Sequence, residues 1–190
     1  MRLFSAHRPH AKPFLHLGVQ CLDLQVHILA VLGFVAANDY IRVEKDKNMY
    51  KYKEVKENTF VLSLDNHVEV AQALAAFCEE KNILAGIVSG LGAISEATFR
   101  FLDPATKLYV DKTFSEQMEI TNLTGNISQK DGKVYLHLHI TASRRDYSCV
   151  GGHLLSARIN GACELVVKSF PNQYVGRIQD AETGLNLYQF

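Results

Sequence analysis

The sequence predicts an α+β domain, a mostly antiparallel β-sheet flanked by one or two helices. Three observations predict it. Val134, Leu136, Leu138 and Ile140 alternate with Tyr135, His137, His139 and Thr141, the period-2 signature of a strand with one apolar face. Asp131-Gly132 and Asn160-Gly161 lie on either side of that stretch, and each is a strong two-residue hairpin signal. Only residues 67–81 show convincing helical periodicity. Many strands with one good helix, rather than regular alternation of the two, is the α+β pattern.

Residues 1–48 read as an N-terminal extension, disordered or dispensable, ahead of a domain over 49–190. The opening segment carries His7, His10 and His16 without a clear period. The apolar run at 26–37 has the length of a signal-peptide core, but Asp23, His27 and the long preceding segment weigh against that reading. It is shorter than the roughly 20 apolar residues of a membrane span. A short packed helix and plain disorder stay open for it. Met49 then opens a natural first strand, followed by a second at 59–64.

Asn66, with Glu69 three residues on, has capping-box spacing. Behind it Val70, Leu74, Phe77 and Cys78 recur at helical spacing and build one apolar stripe over 67–81. Cys78 sits on that stripe and reads as a small buried hydrophobe. Residues 83–94 form an apolar run broken by Gly86, Gly90 and Gly92, a buried strand with bends at the glycines. That spacing is not the G-x-G-x-x-G of a dinucleotide site. Strands at 95–102 and 107–113 are joined by a turn at 103–106 with Pro104 at its second position. A further strand runs near 114–123. The histidine strand follows Asp131-Gly132, then residues 154–159, a second hairpin at Asn160-Gly161, and a strand over 163–170 that Pro171 ends. Residues 174–190 supply one edge strand.

Lys and Arg number 20, as do Asp and Glu, for a formal net charge of +0. That argues against holding DNA by bulk electrostatics, because phosphate neutralisation dominates nonspecific affinity. The four cysteines, Cys21, Cys78, Cys149 and Cys163, form no CxxC pair and no scaffold spacing. Free thiols in a reducing, cytoplasmic setting follow.

The chemistry-bearing stretch is 133–155. His137 and His139 project from one strand face, and His153 follows the Gly151-Gly152 pair, read as a tight turn that returns it to them. Three imidazoles with a coordination position left open is how catalytic rather than structural zinc is held. The competing reading is a set of strand histidines lining a polar face or a subunit interface. Glu119 is the candidate acid/base beside such a metal, against a solvated strand carboxylate. Arg145 is the candidate grip for a carboxylate substrate, against a surface ion pair with Asp146. Cys149, close in sequence to His153, is a weaker fourth-ligand candidate.

The stretches SGLGAISEATFRFLD, MEITNLTGNIS, VYLHLHITAS, VGGHLLSARI and CELVVKSF, in that order and spacing over residues 58–171, resemble the PPC domain (plants and prokaryotes conserved). The resemblance implies an antiparallel sheet flanked by helices, a homotrimer, and a DNA-binding or regulatory role, as in plant nuclear proteins that carry the domain beside AT-hooks. No Arg-Gly-Arg core of an AT-hook occurs here, and the plant Gly-Arg-Phe-Glu-Ile-Leu motif survives only as Met118-Glu119-Ile120-Thr121. The domain is similar in fold to acetolactate decarboxylase, a zinc enzyme with a His-x-His pair and a later His. That resemblance implies zinc on His137, His139 and His153. The alternative function is then a zinc-dependent enzyme acting on a small carboxylate or keto acid.

Overall fold

The computed structural model describes residues 49–190. The expectations for residues 1–48, including the apolar run and Cys21, lie outside the described residues. Over the described residues the chain forms nine strands and one helix. In order these are β1 (Tyr50–Lys56), β2 (Thr59–Leu64), α1 (Val70–Glu80), β3 (Gly86–Asp103), β4 (Leu108–Phe114), β5 (Met118–Lys130), β6 (Lys133–Ser143), β7 (Cys149–Ser169), β8 (Gly176–Gln179) and β9 (Asn186–Gln189). All pairings are antiparallel except the contact of β8 with β5. The fold is thus the expected antiparallel-dominated α+β arrangement, richer in strand than expected.

Two long strands organise the sheet. β3 and β7 pair from Gly86↔Ser169 to Arg100↔His153. The other edge of β3 takes β5 over its first half and β4 over its second. The other edge of β7 takes β2 near its end and β6 near its start. Because β5 also pairs with β6, the ladder closes on itself through β3, β5, β6 and β7. Closure removes exposed edges from the middle of the sheet.

The helix fills the apolar side of this arrangement. Val70, Ala73, Leu74, Phe77 and Cys78 are buried, and the Phe77 ring meets Tyr50, Tyr52 and Phe60 edge-on at 5.3–5.6 Å. Edge-to-face pairs are the arrangement that the ring quadrupole favours. Leu138 and Ile140 of β6 join the same core, with Leu123, Ile127, Ile159 and Leu165. Burial pushes the Cys78 thiol up to about 12, in keeping with a small hydrophobe.

Several boundaries differ from expectation. Asn66 does not cap the helix: its Oδ1 accepts from His67 N and Gly161 N, and His67 takes a left-handed φ of 67°. Glu69 is the cap, and its carboxylate accepts from Ala71 N and Gln72 N, so the helix begins at Val70. At the other end Ile83 N bonds Cys78 O and Asn82 N bonds Glu79 O. With Asn82 at φ 51°, this is a Schellman stop with asparagine in the usual glycine position.

Residues 83–94 and 95–102 are not separate strands, because β3 is continuous. Gly86, Gly90 and Gly92 are not bends; a Cβ on each would lie 2.5–2.7 Å from a carbonyl oxygen of β7, so they let the two backbones close together. Asn160-Gly161 is not a hairpin either. β7 runs through it with a bulge, since Gly92 pairs with Cys163 while Ile94 pairs with Ile159. The strand expected near 114–123 is the longer β5. The C-terminal segment forms two strands, β8 and β9, paired with each other. The Asp131-Gly132 turn is as expected, with φ of 52° and 74° joining Lys130 to Lys133.

Candidate metal centre

Alternation along β6 buries Leu138 and Ile140 and turns His137 and His139 to the opposite face. His153 arrives by register rather than by a turn. It is the direct cross-strand partner of His139, so the short hairpin between β6 and β7 brings the third imidazole into place. Gly151 and Gly152 lie inside β7, contrary to the tight turn expected there. A Cβ on Gly151 would sit 2.4 Å from Ile140 O, so glycine is needed for the close approach of β7 to β6.

The three rings face one another with centroids 5.0–5.4 Å apart, and one nitrogen from each lies within 4.8 Å of the others. His137 Nε2 and His139 Nε2 are 3.3 Å apart. His137 and His153 are half-buried and His139 is exposed, which leaves one side of the triad open. Burial, then the other two imidazoles, then Arg100 hold His153 down to about 4. Burial first, then His139 and Arg177, also lower His137. Neutral imidazole is the form that binds metal. A converging, all-nitrogen set suits zinc and neighbouring divalent ions. Among the described residues no carboxylate or thiolate joins the group.

One lateral row runs through the site across five strands: Asp111 of β4, Arg100 of β3, His153 of β7, His139 of β6 and Thr124 of β5. Arg100 donates to both carboxylate oxygens of Asp111 at 2.8 Å, which holds Asp111 below the usual carboxylate range. In the next row Asn126 of β5 partners His137. The triad opens into a cavity of about 390 Å³, whose walls include Arg100, Tyr109, Tyr135, Arg177 and Leu187.

The other residues expected at the site are elsewhere. Glu119 pairs with Ser143 and Ala93, five positions along β5 from Thr124, or about 16 Å at about 3.3 Å per residue. It is not beside the histidines. Arg145 stands in the β6–β7 turn and lines a separate surface pocket with Glu116, Arg144 and Asp146. The ion pair there joins Arg144 to Glu116, while Asp146 accepts from Ser148 N and Oγ. Cys149 pairs with Ser143, four residues before His153 and about 13 Å away along the strand, which removes it as a fourth ligand. Arg100, Asp111, Asn126 and Arg177 escaped the sequence reading because no motif marks them. Counting outward from the turn at 103–106 does pair Arg100 with Asp111, and that was the available signal.

Fold and site together define a closed α+β sheet domain carrying an open three-histidine centre. Residues 52–171 match the family model of the Plants and Prokaryotes Conserved (PCC, or PPC) domain, and the chain belongs to that family. Among solved structures, a candidate DNA-binding protein from Bacteroides thetaiotaomicron is 55% identical, with 75% of this chain and 99% of that one covered and a TM-score of 0.73. A metal-containing protein from Archaeoglobus fulgidus is 34% identical over 76% of this chain and 100% of its own, at TM-score 0.67. A candidate DNA-binding protein from Ralstonia eutropha is 31% identical over 73% and 95%, at 0.68. No curated protein matches.

Proposed function

We propose that this PPC-domain protein holds a divalent metal, zinc first, on His137, His139 and His153, and presents it to a small molecule in the adjoining cavity. One observation carries the reading: three imidazole nitrogens from two strands converge within 4.8 Å, and among the described residues no carboxylate or thiolate joins the set. The 34% identical relative described as metal-containing supports it. Structural zinc sites are closed by four protein ligands, whereas three leave room for an exogenous one. A divalent cation there supplies Lewis-acid polarisation of a bound oxygen. The chain's own part is to bias His137 and His153 toward the neutral form by burial and to shape the cavity. The zinc-dependent enzyme reading, with a small carboxylate or keto acid as substrate, is the catalytic form of the same proposal.

Metal analysis of protein purified without a histidine tag tests it. We expect close to one divalent ion per chain, lost in His139→Ala and His153→Ala variants that keep the wild-type circular dichroism. Undiminished metal in both variants would refute the site.

A second reading, association with DNA, is favoured by the relatives described as candidate DNA-binding proteins at 55% and 31% identity. Balanced charge and the missing AT-hook core give it little chemistry of its own. A gel shift at two salt concentrations separates the cases, since phosphate contacts weaken steeply with salt.

The resemblance also implies a homotrimer, and the sheet face offers a surface for it. Val61, Ile87, Leu91 and Val166 are 37–56% exposed, and Val61 and Val166 are cross-strand partners. Free Cys78, Cys149 and Cys163 support a reducing compartment, which we take to be the cytoplasm.

A further inference from the structure

Among the described residues, Arg177, on the C-terminal hairpin, is the one arginine of the cavity wall whose charge no carboxylate balances. Its Nε donates to Ser128 Oγ, its Nη1 to Asn186 O and its Nη2 to Asn126 Oδ1, each at 2.7 Å. The guanidinium lies over the rings of Tyr135 and Tyr188, 4.9 and 4.3 Å from their centroids. Every one of these partners is uncharged. By contrast Arg100, on the same wall, is paired with Asp111, and Arg144 with Glu116. Among the described ion pairs none involves Arg177.

The position of this cation matters as much as its charge. Asn126, which accepts from Arg177, is the cross-strand partner of His137, so the guanidinium stands one side chain away from the triad. Hydrogen bonds on all three of its nitrogens and two aromatic faces fix its orientation, and a guanidinium has five N–H donors. Two remain for a ligand. A planar, pre-oriented fork of this kind matches an oxyanion. The cavity, at about 390 Å³, falls at the small end of ligand pockets, which excludes a bulky partner.

We propose that Arg177 is the anion-receiving residue of the histidine cavity, and that the cavity's ligand is a small oxyanion, a carboxylate or a phosphate, bound between Arg177 and the triad. The proposal rests on the metal reading for its second anchor. It replaces Arg145 with Arg177 as the group that selects a negatively charged ligand. It also gives the C-terminal hairpin a task, since β8 and β9 carry Arg177, Asn186 and Tyr188 to the site.

Calorimetric titration of the zinc-loaded full chain with glycolate, and separately with inorganic phosphate, tests it and distinguishes the two sources of oxyanion. We expect one of them to bind, and Arg177→Gln to weaken it by about tenfold or more, the loss of a charge-assisted contact, with zinc stoichiometry unchanged. Arg177→Lys, which keeps the charge without the fork, should recover part of that loss. Because Arg177 also fastens the hairpin, the Nε–H resonance of Arg177 in the wild-type protein is the second measurement, and it should shift on adding the anion. An unshifted resonance, or Arg177→Gln binding as the wild type does, overturns the proposal while leaving zinc in place. A protein that takes up no zinc yet binds the anion at Arg177 refutes the metal reading and keeps this one.

Discussion

Gly151 shows how a single residue sets the geometry of the histidine triad. The position is opposite Thr141 in the β6–β7 ladder, and a methyl group there would meet Ile140 O at 2.4 Å. That is well inside contact distance, and the obstacle is backbone, which cannot swing away as a side chain can. Gly151→Ala must therefore push β7 from β6 two residues before His153. Overpacking of this sort costs typically 1–3 kcal/mol, so a loss of about 2 kcal/mol is expected in urea unfolding. The displacement also separates His153 from its partner His139, so the zinc binding proposed for the triad should weaken in the same variant. A Gly151→Ala protein with wild-type stability and zinc affinity would show that the ladder has slack at this point.

Glu69 does for an element what Gly151 does for the site. Its carboxylate takes the first orphan N–H groups of α1 and also accepts from Ala157 N of β7 at 3.0 Å, so one side chain starts the helix and pins it to the sheet. Replacing a side-chain N-cap with alanine costs about 0.5–2 kcal/mol, and here a sheet N–H is orphaned as well. We expect Glu69→Ala to lower stability by about 2 kcal/mol, read from chemical denaturation, with Asn66→Ala costing less. At this scale the sequence was legible wherever the signal was local. The apolar stripe of α1, the alternation of β6 and the Asp131-Gly132 turn all follow from neighbouring residues, and the last fixes Asn126 opposite His137 by counting outward. What failed was non-local. The glycines of β3 and the Gly151-Gly152 pair looked like bends or turns because glycine reports only the missing side chain. Whether that absence serves a turn or the close approach of another strand is decided by residues 70 or more positions away in the case of β3. Glu119 was chosen for the proton acceptor that a catalytic metal needs and Arg145 for its place just after the histidine strand, yet distance along a strand accumulates at about 3.3 Å per residue, which chemistry and sequence order alone do not reveal.

At the scale of the whole molecule, the outer face around Val61, Leu91 and Val166 invites a test of assembly. These residues line an open trough together with Ser63, Ser89 and Glu164. Scattered surface apolar residues are ordinary, but a contiguous apolar patch with a polar rim marks an interaction site. The proposed homotrimer commits that face to further copies of the same chain. Sedimentation equilibrium of the wild-type protein should then give three chains per particle. Leu91→Glu, which puts a charge in the middle of the patch, should shift the population to single chains. On a solvated surface the same change would alter stability by no more than about 0.5 kcal/mol and leave the mass unchanged. Zinc content supplies the control. The triad lies on β6 and β7 within one chain, so a dissociated Leu91→Glu protein should still bind metal through His137, His139 and His153. If the wild type sediments as a single chain, the trimer fails; if Leu91→Glu stays trimeric, copies meet through another face.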